Sequence, residues 1–263
     1  MDVSKLFNLK NKTAYVLGGS GTIGSSLCLA LAQCKAKVIV LDIKKNSKFK
    51  SKNISFYNFD IKKISTFENK LKFLFNKIGK PDIFINCSYP HTNNWSNTSF
   101  SNLTIKSIQN NINLQLNSSI WITRLFAEQM KKNKINGAIL SLGSIYGVVA
   151  QDEDLYKNSN INLNSIYSAI KNGLVGYTKQ LASYYGKHKI RINVLSPGGI
   201  KGNIAGNKQS QQKSFIKKYS KKVPLKRMAT VEDIVPMAIF LVTDGSSYIT
   251  GTNILVDGGL TII

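Results

Sequence analysis

Lys12-Thr13-Ala14-Tyr15-Val16-Leu17-Gly18-Gly19-Ser20-Gly21-Thr22-Ile23-Gly24 is the stretch on which the fold turns. Its first half is an apolar run of strand length. Its second half is a glycine-rich loop, and the residues beyond it place Ile23, Leu27, Ala30 and Leu31 at helical spacing. Strand, glycine loop and helix in that order are the context a dinucleotide phosphate site needs. Glycines let the chain turn sharply and approach a pyrophosphate, and the first N–H groups of the following helix are unpaired and attract an anion. A ligand-free βα turn looks the same locally, so the flanking segments must decide.

Outward from that loop, residues 37–42 read as a second strand ending in Asp42. A carboxylate about twenty residues past the glycine loop accepts both ribose hydroxyls and repels a 2′-phosphate, which favours NAD over NADP. Lys44 and Lys45 soften that preference, so NADP stays admitted. Residues 55–60 form a third strand whose end, Asp60-Ile61, either borders the adenine or caps a helix. The apolar spacing of Phe67, Leu71, Leu74, Phe75 and Ile78 predicts a helix over 66–78, stopped by Gly79. A fourth strand, 82–87, ends in Asn86-Cys87-Ser88-Tyr89-Pro90. The polar stretch 96–104 suits the rim of a site. A long helix over 108–132 carries Asn113, a residue of no weight alone in so asparagine-rich a chain.

The fifth strand, 137–142, delivers Gly143-Ser144-Ile145-Tyr146-Gly147 at its C-terminal end, where open α/β sheets bind ligands. Ser144 there either bonds a substrate oxygen or forms a turn. Residues 148–164 read as a polar loop or insertion bordering the substrate, its Asp152, Glu153 and Asp154 solvating it. A sixth strand, 190–195, leads into Ser196-Pro197-Gly198-Gly199-Ile200. Residues 201–222, with Gly202, Gly206 and many lysines, read as a mobile lid. Lys201, Lys208, Lys213, Lys217 and Lys218 either attract a phosphate or line a solvated face. Thr230 caps a helix with Glu232 and Asp233 in its first turn, and 251–259 form a last strand and turn. Strands alternating with helices predict an α/β fold: a single-domain, Rossmann-type, doubly wound parallel sheet of about seven strands with helices on both faces. The expected strand order is 3-2-1-4-5-6 with a seventh at the edge. The dinucleotide part covers about 1–145, and the catalytic helix and lid about 146–263.

Tyr167-Ser168-Ala169-Ile170-Lys171 puts a phenol and an ammonium on one helical face, four residues apart. A phenol near pKa ~10 is a poor acid or base at neutral pH, and an adjacent ammonium favours the phenolate. The pair is suited to moving a proton to or from an alcohol or carbonyl oxygen.

The 263 residues are 43% hydrophobic, enough for one domain with a full core. No apolar run reaches membrane-spanning length and no signal-type stretch follows Met1, so a cytoplasmic protein without a membrane partner is expected. Three cysteines and two histidines leave little material for a disulfide framework, a metal site or a Ser-His-Asp triad. The formal charge is +23, from 36 Lys+Arg against 13 Asp+Glu. Only Arg124, Arg191 and Arg227 are arginines, the residue base and phosphate recognition uses most. The charge therefore reads as a lysine-rich solvated surface rather than a nucleic-acid interface, and it suits an anionic small substrate.

In order and spacing these features resemble the classical short-chain dehydrogenase/reductases over essentially the whole chain. The resemblance rests on the loop Gly18–Gly24, Asp60-Ile61, Asn86, Asn113, Ser144, Tyr167 with Lys171, the Pro197-Gly198 turn and the ending Val256-Asp257-Gly258-Gly259. It implies an NAD(P)-dependent oxidoreductase acting on a carbonyl or secondary alcohol. Tyr167 would be the acid/base and Lys171 would tune it and hold the nicotinamide ribose. Ser144 would orient the reacting oxygen, and Asn113 would support a water-linked proton path behind the lysine. It further implies a cofactor held by Gly18, Ser20, Gly21, Thr22, Ile23, Gly24, Asp42, Asp60, Ile61, Asn86, Cys87, Ser88, Tyr167, Lys171, Pro197, Gly198 and Ile200, and a homodimer or homotetramer joined through the helices of Asn113 and Tyr167. The chain departs from the family at Leu17, Thr22, Cys87-Ser88 and Gly202, and in the wide spacing of Ser144 from Tyr167. Residues 86–90, the enlarged loop after Gly147 and Ser196–Gly199 look like oxidoreductases of bacterial surface-sugar and flagellin modification. Those imply a sugar or sugar-phosphate substrate. A 3-oxoacyl-carrier-protein-type reductase and a non-catalytic dinucleotide-binding protein are the alternatives.

Overall fold

A computed structural model describes residues 2–203 and 209–263. Seven parallel strands form one sheet: β1 (Thr13–Leu17), β2 (Lys37–Asp42), β3 (Ile54–Asn58), β4 (Ile83–Asn86), β5 (Ala138–Leu142), β6 (Arg191–Pro197) and β7 (Asn253–Val256). Their order is β3-β2-β1-β4-β5-β6-β7, as the alternation predicts. The order reverses direction at β1, which opens a crevice at the C-terminal ends of β1 and β4, where ligands bind in such sheets.

The helices are α1 (Val3–Leu6), α2 (Thr22–Gln33), α3 (Phe67–Lys77), α4 (Ile105–Asn111), α5 (Ser118–Lys132), α6 (Glu153–Tyr156), α7 (Tyr167–Tyr185), α8 (Lys213–Lys222) and α9 (Val231–Val242). Alternate strand residues point to opposite faces. Tyr15, Leu17, Ile39 and Leu41 join a core with Leu71, Phe126 and Leu181, from α3, α5 and α7. Ala14, Val16, Val38 and Val40 join a second core with Leu27, Leu31 and Ile234, from α2 and α9. Strands buried on both faces explain why the sequence shows continuous apolar runs rather than alternation. Phe126 stacks on Phe84 at 3.8 Å between centroids, anchoring α5 to the sheet.

Three expectations need correction. The long helix starts at Ile105 rather than 108, and it is broken by a π-helical turn over Ile112–Asn117 before α5. Thr104 sets the start, because its hydroxyl accepts the Ser107 N–H while its own N–H bonds back to Ser107. Residues 201–222 are not one lid. Gly206 and Lys208 lie outside the described residues, and 213–222 form α8, whose Phe215 and Tyr219 are buried. Those two residues share a third, smaller core with Leu155 of α6, Val223 and Met228. The insertion 148–164 is likewise part structured, with Asp152 capping α6 through the Asp154 N–H and pairing with Lys222. Among the described residues no helix is long and apolar enough to cross a membrane.

Candidate active site

The glycine loop leaves β1 at Gly18, whose φ of +70° a side-chain-bearing residue rarely adopts. Its N–H donates to the Leu41 carbonyl at 2.8 Å, and a Cβ there would press on the Ser88 backbone at 2.8 Å. Gly24, in the first turn of α2, packs so closely that a Cβ would strike the Gly18 carbonyl oxygen. Gly21 caps α2 with no side-chain hydrogen bond, so the first N–H groups of that helix, at Thr22, Ile23 and Gly24, are not closed off by a cap. The Ser20 hydroxyl is buried without a partner. An uncapped helix start, an orphaned hydroxyl and a loop with no room for side chains together fit a pyrophosphate.

Asp42 ends β2 beside this loop. One carboxylate oxygen accepts the Ser20 N–H at 2.9 Å and the other the Ile43 N–H at 2.7 Å, which fixes its orientation. Asn46 donates to the Ser20 carbonyl at 3.0 Å, so Ser20 is braced on both sides. Asp60 accepts the Lys62 N–H at 2.9 Å and holds a turn; α3 begins only at Phe67, which removes the helix-cap reading of Asp60. Ile61 is packed into the core. At the end of β4, buried Asn86 accepts both the N–H (3.1 Å) and the hydroxyl (2.6 Å) of Ser88, tightening the turn beside Gly18. Burial pushes the Cys87 thiol up to about 12, and the Lys171 charge only partly offsets it. Gly198 donates to the Val256 carbonyl at 2.9 Å and Ile200 bridges to Ala229, fixing the turn after Pro197.

Ser144 leaves β5 and caps a single 3-10 turn, accepting the Tyr146 N–H at 3.2 Å. Asn172 of α7 donates to the Gly147 carbonyl at 2.9 Å, and Gly147 lies flat on the Lys171 backbone, where a Cβ would come within 3.1 Å. This contact docks the turn on α7 and overcomes the wide sequence spacing. Ser144 is 8% exposed, and its hydroxyl is near enough to the Tyr167 phenol to favour the phenolate. Lys171, also 8% exposed, donates from Nζ to the Leu142 carbonyl at 3.0 Å and lies 5.7 Å from the Tyr167 ring centroid. The three side chains read from the sequence therefore converge.

The electrostatics differ from the expectation in one respect. Burial raises the Tyr167 pKa, and the Ser144 hydroxyl pulls against that rise. The expected lowering by Lys171 is not what dominates. Burial also brings Lys171 itself down to about 8, so the ammonium is a weaker partner than a solvated lysine.

Asn113 is misplaced in the sequence reading. It is exposed, and its side chain accepts from Asn117 at 3.3 Å while its carbonyl takes the Ser118 N–H. The residue beside the lysine is Gln115, 5% exposed. It borders a polar cavity of about 10 Å³ with Asn86, Ser88, Ser119 and Lys171, the room a single water needs. Its Nε2 has no hydrogen-bond partner among the described residues. Two positions along a helix is nearly the opposite face, and the π-helical turn shifts the register further.

The sequence reading also missed an aromatic wall. Tyr89, Trp95 and Tyr146 meet the Tyr167 ring edge-on at 5.8, 6.0 and 6.3 Å between centroids. His91 stacks on Trp95 at 5.5 Å, and burial lowers its pKa to about 4, so it is neutral. Tyr146 shares a hydroxyl–hydroxyl bond with Tyr156 from α6. The only sequence signal was aromatic content in two polar loops.

Comparison with known proteins bears on the family and the fold. Residues 19–261 match the family model described as enoyl-(acyl carrier protein) reductase. The chain is 32% identical to post-translational flagellin modification protein A of Campylobacter coli, over 95% of this chain and 98% of that one. It is 31% identical to a 3-oxoacyl-[acyl-carrier-protein] reductase of Buchnera aphidicola, over 96% and 98%. The crystal structure of a short chain dehydrogenase from Leptospira borgpetersenii with bound NAD+ superposes with a TM-score of 0.86 at 33% identity, covering 99% of this chain and 96% of that one.

Proposed function

The chain belongs to the short-chain dehydrogenase/reductase family, and we propose that it is an NAD-preferring enzyme that interconverts a carbonyl and a secondary alcohol on a sugar or sugar phosphate. The observation that carries this reading is the convergence of Ser144, Tyr167 and Lys171 beside the glycine-loop crevice. The bound dinucleotide supplies or accepts the hydride. Tyr167 gives the proton to, or takes it from, the reacting oxygen, and Ser144 holds that oxygen by its hydroxyl. Lys171 steadies the phenolate that forms, where a positive charge in a buried site acts strongly. Asp42 favours NAD by repelling a 2′-phosphate, with NADP accepted more weakly.

Three features support a sugar. Tyr89, Trp95 and Tyr146 present ring edges and faces on which the C–H face of a pyranose packs. Lys213, Lys217 and Lys218 on the exposed side of α8 favour a phosphate on the substrate's far end, although Lys218 also donates to the Lys157 carbonyl. The likeness to the Campylobacter flagellin-modification protein points the same way. The second reading, a ketoacyl-carrier reductase, is favoured by the likeness to the Buchnera enzyme and by the same lysines meeting an acidic carrier. We further infer a homodimer or homotetramer joined through α5 and α7, whose outward residues include the exposed Tyr184.

The test is NADH oxidation against a panel of keto-sugars, their phosphates and ketoacyl thioesters. Turnover of a sugar member at least tenfold faster than any thioester is the expected result. The reverse order makes the carrier reductase the function.

A further inference from the structure

Two loops wall the cleft over Tyr167: residues 88–104, which carry Tyr89 and Trp95, and residues 148–165, which run into α7. Their junction is built of buried polar groups. Asn164 is 5% exposed and Thr98 fully buried. Asn164 Nδ2 donates to the Trp95 carbonyl at 2.8 Å and also to the Thr98 hydroxyl. Its Oδ1 accepts the Ile166 N–H at 3.1 Å, and its own carbonyl accepts the Tyr167 N–H at 3.2 Å. The Thr98 hydroxyl donates in turn to the Trp95 carbonyl at 2.8 Å. Ser165 gives both its N–H (3.0 Å) and its hydroxyl (2.7 Å) to the Thr98 carbonyl, and Asn162 donates to the Ser96 carbonyl at 3.1 Å. Both donors of the Asn164 amide are thus spent across the loop junction, and its acceptor on the first turn of the catalytic helix.

We propose that Asn164 is a positioning residue for substrate specificity: its side chain latches the Trp95 loop to the start of α7 and so fixes the Trp95 and Tyr89 rings against Tyr167 before substrate arrives. A loop of this length has no reason to hold one conformation unless its backbone groups are paired. Trp95 lies at the latch itself, and its ring meets the Tyr89 ring edge-on at 5.8 Å between centroids, so the two rings pack together. The cofactor crevice shares none of these bonds. Preassembly spares the substrate the cost of ordering the wall, so the latch acts on substrate affinity and not on the dinucleotide. The substrate half of this argument rests on the oxidoreductase reading; the placement of Trp95 does not.

The experiment uses the full chain with Trp121→Phe, which leaves Trp95 as its only tryptophan. Asn164→Asp keeps the acceptor facing Ile166 and loses both donors. Expected are increased acrylamide quenching of Trp95, a KM raised about tenfold for the panel compound the parent turns over fastest, a kcat within about threefold, and an unchanged Kd for NADH. Thr98→Val, which removes the shared hydroxyl at constant shape, moves the same readouts in the same direction and serves if Asn164→Asp does not fold. Unchanged quenching overturns the latch, and so does an equal loss of NADH affinity, which would mark a general structural defect. Increased quenching in a chain that turns over no panel compound upholds the latch and removes the proposed reaction.

Discussion

The cofactor crevice and the substrate wall meet at Tyr167 but are built from different materials. The crevice is shaped mainly by backbone: the Gly18 turn, the uncapped start of α2 and strand ends held by ladder hydrogen bonds, with Asp42 and Asn86 bracing the turns. The wall is side chains: Asn162, Asn164 and Ser165 reaching across to residues 95–98, with Tyr89, Trp95 and Tyr146 above the phenol. Backbone sites impose residue types, because a positive φ or a close approach admits glycine almost alone. A side-chain wall imposes nothing comparable, so related chains can change substrate while keeping cofactor.

If the two regions are separable, substitutions should divide cleanly between them. The largest effect is expected at their meeting point. Tyr167→Phe removes the proton donor but no dinucleotide contact through the glycine loop, so kcat should fall about 10³-fold with NADH affinity nearly intact. Stopped-flow turnover and fluorescence titration check this, and loss of NADH binding would mean the phenol belongs to the crevice. A non-catalytic binding protein would show no turnover to lose.

Next is Lys171. Its folded pKa of about 8 lies below the ordinary lysine value of 10.5, so between those pH values the unfolded chain binds the extra proton and the folded chain does not. Stability therefore rises with pH across that window relative to Lys171→Met, by at most ~3 kcal/mol. Urea titrations of both proteins at pH 7.5 and 10 measure the difference. A gap that stays constant would place the lysine in water.

The smallest effect is at the far end of the crevice. Asp42→Ala should narrow the ratio of NAD to NADP affinity about tenfold, the value of one charged hydrogen bond. Substrate KM should not move, and a ratio unchanged by titration would release Asp42 from cofactor choice.

The same division governs what the sequence discloses. Strand order and the glycine loop are legible because apolar runs and glycines are local marks of buried parallel strands and a tight βα turn. Ser144, Tyr167 and Lys171 are legible as chemistry, although only the Asn172–Gly147 bond shows how an enlarged loop still brings the serine to the phenol. The role of Asn113 came from the family resemblance alone, and position along the chain does not show which way a side chain faces: the π-helical turn at Ile112–Asn117 leaves Asn113 exposed and Gln115 inside. The raised pKa of Tyr167 was hidden because burial by Tyr89 and Trp95 depends on two loops whose hydrogen bonds join residues nearly seventy positions apart. The lysine-rich stretch hid α8, because Phe215 and Tyr219 are its only two fully buried positions.

The third core has a consequence of its own. Leu155, Phe215, Tyr219, Val223 and Met228 bury one another away from both faces of the sheet. The insertion and the lysine-bearing helix are therefore packed on each other as one unit beside the turn after β6, where Tyr219 meets Gly199. This core is much smaller than the two main layers, and Tyr156, Ile161, Ile216 and Leu260 pack around its edge. One helix thus has two duties: Phe215 and Tyr219 hold the insertion down, while Lys213 and Lys217 are left free to meet an anion.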